Sequence, residues 1–218
     1  MTESAEPLLH DDEASAEPRL GRGDWVDAAL EVLVEEGVEA VRITRLADGL
    51  SVTRGSFYWH FKGREDLLAA LLDEWSVRNT GIMVDVLRNA ESLETGILDL
   101  FSVWVDHSKF DPDLDRAVRD WGRREGEVRD VVSKEDDDRV EAIARFYERH
   151  GYKPTEAFIR ARVIYFTQLS YYSLGVSEPM EERMSYLSAY FQCFTGREID
   201  ASVAKEFRRR LIAKEKAS

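Results

Sequence analysis

The residues best suited to do chemistry lie between positions 40 and 64. Five bases, Arg42, Arg45, Arg54, Lys62 and Arg64, stand there against one acid, Asp48, a local charge of +4. Guanidinium and ammonium groups gathered over so short a stretch suit phosphate oxygens, and an arginine can also pair with a guanine edge. Gly55 and Ser56 follow Arg54 and are small enough to let a helix approach a partner closely. No rival chemistry is spelled out elsewhere. The histidines are His10, His60, His107 and His150, and no two of them have metal-ligand spacing. No Gly-rich phosphate loop or nucleophile elbow occurs. The acidic run from Lys134 to Asp138 lacks the glycine and spaced acids of a calcium loop, so it reads as a solvated face. The residues therefore call for no catalytic group, no metal and no cofactor.

The basic residues need a frame that presents them. Trp25, Ala28, Ala29, Val32 and Leu33 recur at helical spacing and predict a first helix that ends at Gly37. Thr44 fits the N-cap of a second helix about two turns long, carrying Leu46, Ala47 and Leu50. A turn, Ser51-Val52-Thr53, follows, and Thr53 can cap a third helix from Arg54 to His60. Gly63 then breaks the chain before a longer helix with Leu67, Leu68, Leu71, Leu72 and Trp75 on its buried side. Two short helices joined by a tight turn have helix-turn-helix spacing, in which the first braces and the second enters a major groove about 12 Å wide. On charge alone, the same arginines serve equally well as solvated groups at a helix corner.

The stretch Arg42–Phe61 and its continuation through Leu68 resembles the TetR family (TetR/AcrR-type) of bacterial regulators. The matching features are Leu46-Ala47, Val52-Thr53, Gly55, Phe57-Tyr58, His60-Phe61 and Glu65-x-Leu67, at fixed offsets over about 45 residues. The pattern departs at Leu50 and Ser51, where a small residue and a glycine are usual, with Gly49 shifted by two positions. It departs again at Arg64, where a lysine is usual, a change that keeps the charge and alters the shape.

The resemblance implies a DNA-contacting set of Arg42, Thr44, Arg45, Thr53, Arg54, Gly55, Ser56, Tyr58, Trp59, His60, Lys62 and Arg64. Within it, Arg54 and Ser56 are expected to meet bases or phosphates, and Tyr58 and His60 to anchor phosphates. Lys62 and Arg64 add charge at the groove edge, and Trp59 packs on the sugar-phosphate backbone or against the domain. Phe57 and Phe61 are expected in the core.

The resemblance also implies the organisation of the whole chain. It is an all-α protein with an N-terminal helix-turn-helix domain over residues 19–66. A larger helical domain for effector binding and dimerisation then covers 67–218. Residues 1–18 carry six acids and no Lys or Arg, which reads as a disordered acidic tail and as neither a secretory nor a transit signal.

No apolar run approaches the ~18 residues of a membrane span, so the chain is expected in the cytoplasm with Cys193 reduced. Beyond position 80, Ser92 and Asp111-Pro112 fit helix starts, and residues 127–149 read as a charged helix. Apolar helices follow over 155–174 and 179–195. The latter is apolar on two sides: Met184, Leu187, Phe191 and Phe194 on one, Tyr186, Tyr190 and Cys193 on the other. A helix apolar on two sides must be covered on two sides, which suits a homodimer. Effector candidates are Trp104, His107, Trp121, Tyr165, Gln168 and Tyr172.

The expected function is a sequence-specific regulator of transcription, a repressor released by a small molecule, whose partner is double-stranded operator DNA. The alternative is an all-helical binding protein or enzyme in which the helix-turn-helix is only a structural corner. A non-specific DNA-coating protein fits badly with a net charge of −13, because non-specific binding rests almost wholly on charge.

Overall fold

The computed structural model describes residues 20–215; the acidic segment 1–18 lies outside the described residues. Every regular element among the described residues is helical. The first is α1 (Arg22–Glu36), closed by Gly37 at φ 83°. A single 3₁₀ turn (Val38–Ala40) leads to α2 (Ile43–Gly49), and α3 (Arg54–Phe57) follows a short turn. From α4 (Arg64–Trp75) the chain runs without a break through a π-helical turn (Ser76–Gly81) into α5 (Ile82–Asn89).

The caps read from the sequence account for the next starts. At α6 (Leu93–Val105) the Ser92 hydroxyl accepts from the Thr95 N–H at 3.1 Å. At α7 (Pro112–Gly122) the Asp111 carboxylate accepts from the N–H groups of Asp113 and Leu114 at 3.0 and 2.9 Å, with proline in the first turn. Next come α8 (Gly126–Arg149) and α9 (Pro154–Ser173).

The helix expected from 179 to 195 is two helices, α10 (Met180–Ser185) and α11 (Leu187–Thr195). The Ser185 hydroxyl donates to the Glu182 carbonyl at 2.7 Å, and the Tyr186 N–H turns to Arg183 instead. A side chain competing for the ladder thus tightens the helix and breaks it there. The basic C-terminal stretch forms α12 (Ala201–Glu215), whose first turn is capped by Asp200.

Three apolar cores hold these helices. The first joins α1 to α4 with Leu114, Val118 and Trp121 of α7 and Val128 of α8. The second is built from α5, α6, α8, α9 and α11 around Trp104, Phe146, Tyr147 and Phe191. In it the Phe146 ring of α8 lies against the backbone of α6 at Gly96, where a Cβ would sit 2.2 Å from it. The third seats α12 on α6, α10 and α11 through Phe207, Leu211, Met184 and Leu187.

Between the first two cores lies a buried polar network. Arg139 of α8 is wholly buried; it donates to Thr80 at 2.8 Å, to Asp115 at 3.0 Å and to the Tyr165 hydroxyl at 3.1 Å. Asp115 also accepts from Arg119 at 2.7 Å and from the Trp75 indole at 3.0 Å. Arg119 forks onto Asp136 at 2.9 and 2.6 Å, and the Tyr165 hydroxyl donates to the same carboxylate at 2.5 Å. Burial pushes the Asp115 carboxyl up, but Arg139 and Arg119 outweigh it and hold the group below the usual carboxylate range. The run 134–138 therefore divides. Lys134 and Asp138 pair at the surface, whereas Glu135 is buried and Asp136 turns into the network.

Candidate nucleic-acid interface

The third helix is short, and two phenylalanines fix it. Phe57 and Phe61 are buried, their rings stacked 5.2 Å apart, and Phe57 meets Trp25 of α1 edge-on at 5.2 Å. With that side turned inward, the residues between and before them face out. Thr53, Arg54 and Gly55 are exposed, and Tyr58 and Trp59 keep 61% and 88% of their surface in solvent. Ser56 and His60 are half-buried at the edge of this face. Gly55 is not demanded by the fold, since a Cβ there would meet only Thr53 Oγ1, at 3.5 Å. Its smallness is thus available to an incoming surface.

Among the described residues Arg54 and Lys62 have no ion-pair partner, whereas the other bases are more committed. Arg45 pairs with Glu36 at the end of α1, and that hydrogen bond draws the Glu36 carboxyl below its usual range. Arg42 donates to the Glu39 carbonyl at 3.0 Å and remains exposed. Arg64, expected at the groove edge, donates instead to the carbonyls of Val41 and Val38, both at 2.7 Å. The Val38 carbonyl already accepts from the Val41 N–H within the 3₁₀ turn, and the guanidinium adds a second bond there and one to the Val41 carbonyl. Arg64 therefore positions α4 against the start of α2. Thr44 is not the N-cap it was expected to be. The helix begins two residues earlier, at Ile43 with Arg42 as cap, so Thr44 lies in the first turn, exposed. Thr53 does stand at the N-cap of α3, though its hydroxyl makes no capping bond.

The departure at Leu50-Ser51 has a visible consequence. Ser51 lies at φ 57°, and among the described residues no other non-glycine has positive φ. The turn keeps a left-handed shape with a side chain that disfavours it. The shifted glycine, Gly49, is simply the last residue of α2.

The effector candidates separate. Trp104 and Gln168 line a narrow cleft beneath α10 and α11. Tyr172 stands beside it, its hydroxyl donating to the Trp104 carbonyl at 2.8 Å and its ring stacked on Phe110. Tyr165 belongs to the buried network. His107 is exposed in the turn after α6, and Trp121 is packed in the first core, so neither joins the cleft. Sequence reasoning missed Arg183, Tyr171 and Tyr190 on the cleft wall. The available signal was Arg183 itself, one charge beside the apolar stripe of α10 and α11.

Comparison with known proteins bears on this face. The family described as "Bacterial regulatory proteins, tetR family" matches residues 26–71. HTH-type transcriptional regulator TtgW of Pseudomonas putida, itself uncharacterised, is 43% identical over 58 residues, 27% of this chain and 43% of that one. Tetracycline repressor protein class D of Escherichia coli is 39% identical over 61 residues, 28% of each chain. The chain thus spans less than half the length of these curated relatives. A solved ketosteroid transcriptional regulator of Mycobacterium tuberculosis superposes with a TM-score of 0.56 at 17% identity, covering 82% of this chain and 95% of that one. That likeness extends the shared fold through the C-terminal helices.

Proposed function

We propose, from the premise that residues 26–71 belong to the tetR family of bacterial regulatory proteins, that the chain is a dimeric, DNA-binding regulator of transcription and not an enzyme. The observation that carries this is the outward face of α3. Arg54 and Gly55 on α3, Tyr58 and Trp59 in the turn that ends it, and Lys62 just beyond are all exposed, while Phe57 and Phe61 pin the segment from the inside. A helix so held can enter a major groove with Arg54 at the base edges and Tyr58 and Lys62 against phosphates. Arg42, Thr44, Arg45, Thr53, Ser56, Trp59 and His60 complete the contact set, with Arg64 acting through the fold. We assign DNA reading to residues 19–66 and effector binding and dimerisation to 67–218, in the cytoplasm.

The dimer reading rests on an uncovered stripe. On α9, Phe158, Ile159 and Val163 are each about half exposed, Cys193 of α11 lies open along the same groove as Ile159 and Val163, and Tyr186 is exposed just before α11. A second copy would cover them and set two reading helices one DNA turn apart, about 34–36 Å. Repression would be relieved by a small molecule that binds the DNA-incompetent arrangement better, since a ligand with equal affinity for both shifts nothing. The Trp75–Asp115 bond ties α4 to the buried network beside the second core and offers a route for that coupling.

Selection of bound duplexes from a random pool by the full chain tests the proposal. Recovery of an inverted repeat with half-site centres one turn apart is expected. Recovery of unenriched DNA contradicts it.

A further inference from the structure

The cleft beneath α10 and α11 has a chemistry of its own. Phe101, Trp104, Met184 and Leu187 give it an apolar and aromatic wall. Tyr171 and Tyr190 also line it, their hydroxyls hydrogen-bonded to each other at 2.7 Å. Burial, with help from the hydrogen bond to Tyr190, pushes the Tyr171 phenol well up. Two donors break the apolar wall. Arg183 is half-buried, its guanidinium 4.9 Å over the Tyr171 ring, and one N–H reaches Gln168 Oε1 at 3.1 Å. No carboxylate among the described residues lies within ion-pair distance of it. Gln168 is 8% exposed; its oxygen accepts from Arg183, and its Nε2 lies beside the Tyr172 hydroxyl without a well-formed hydrogen bond. A buried amide donor left unmade and a half-buried charge without a counter-ion both favour an incoming acceptor. Glu178, the carboxylate that raises the Tyr171 phenol further, is not one of the lining residues.

We propose that this cleft binds a molecule with an apolar, ring-bearing body and a carboxylate end, the carboxylate seated against Arg183 and Gln168. The rings would lie along Trp104, Phe101 and Tyr171, and the guanidinium would supply the charge-assisted bonds that fix orientation. The proposal rests on the reading of the chain as an effector-responsive regulator, yet the site is measurable with no DNA present.

The experiment is calorimetric titration of the full chain with naphthalene-2-carboxylate and, separately, with naphthalene-2-carboxamide. The acid is expected to bind at least about tenfold more tightly, a difference of ~1.4 kcal/mol. Arg183→Met should abolish that preference by weakening the acid about tenfold while moving the amide less than about twofold, and Arg183→Lys should restore part of it. Gln168→Leu should weaken both probes several-fold, and Leu187→Trp, which fills the cleft, should remove binding of both. Equal affinity for acid and amide, a preference that survives Arg183→Met, or no saturable binding of either probe would overturn the proposal. Should Arg183→Met fail to fold, the ratio of the two probes on the unaltered chain decides alone. The duplex selection above reports separately. Acid preference without DNA enrichment keeps the site and removes the regulator role, and DNA enrichment without acid preference does the reverse.

Discussion

Arg54 of α3 stands in solvent with no ion-pair partner among the described residues, whereas Arg139 of α8 is wholly buried and donates through Nε and Nη1 to Thr80, Asp115 and Tyr165. The two regions around them differ in the same sense. The helix-turn-helix is held chiefly by apolar contacts, Phe57, Phe61, Trp25 and Leu46, with Arg64 tying α4 to the link before α2. The junction between the first two cores is held by a charged network whose members come from α4, α7, α8, α9 and the π-helical turn. A charge kept for an outside partner adds almost nothing to stability, and a charge taken into the interior becomes a condition of it.

The largest effect expected from this contrast is at Arg139. Arg139→Met leaves Asp115 buried with one arginine fewer and should cost about 3–5 kcal/mol in urea unfolding. Adding Asp115→Leu should recover much of that loss, because an apolar pair of similar volume has no uncompensated charge. If the double variant is as unstable as the single one, the network contributes through shape and not through charge.

The acid limb sharpens the same point. The Asp115 carboxyl lies below its unfolded value of about 3.9, so its contribution is whole above that pH and is lost as pH falls through the lowered folded value. The stability difference between the unaltered chain and Asp115→Asn should therefore be flat from pH 7 to about 5 and shrink on further acidification. A difference that grows in acid would reverse the sign of the assignment.

The smallest expected effect belongs to the turn of the helix-turn-helix. Ser51→Gly relieves a left-handed backbone at φ 57° and should stabilise by about 1 kcal/mol, leaving the buried junction untouched. A loss of stability there would mean that the serine side chain holds the turn in a way its geometry does not reveal.

What the sequence shows and hides follows the same division. The helix-turn-helix was legible because its signals are local: a stripe in α1, Gly37, a tight turn, and bases at fixed offsets. Ser92 and Asp111 announced their helices for the same reason. Arg64 misled, since its type and position suit phosphate while its acceptors, Val38 and Val41, lie more than twenty residues back. The network of Asp115, Arg119, Asp136 and Arg139 has no sequence signature, because its members meet only once α7, α8 and α9 are packed. His107 and Trp121 were drawn to the cleft by residue type, and only the placement of α7 against α1 shows that Trp121 belongs to the first core. The break at Tyr186 turns on one serine hydroxyl.

The claim on which the rest depends is that the exposed face of α3 reads base sequence and contributes nothing to the fold. Its most direct test is the affinity of Arg54→Ala for the selected duplex and for a shuffled one, set beside its unfolding free energy. The selected duplex should lose about 1–3 kcal/mol of binding while the shuffled one loses less, so that discrimination narrows, with stability changed by less than about 0.5 kcal/mol. An equal loss on both duplexes would demote Arg54 to a phosphate contact. Unchanged affinity for the selected duplex would contradict the reading of this face as the DNA-binding surface.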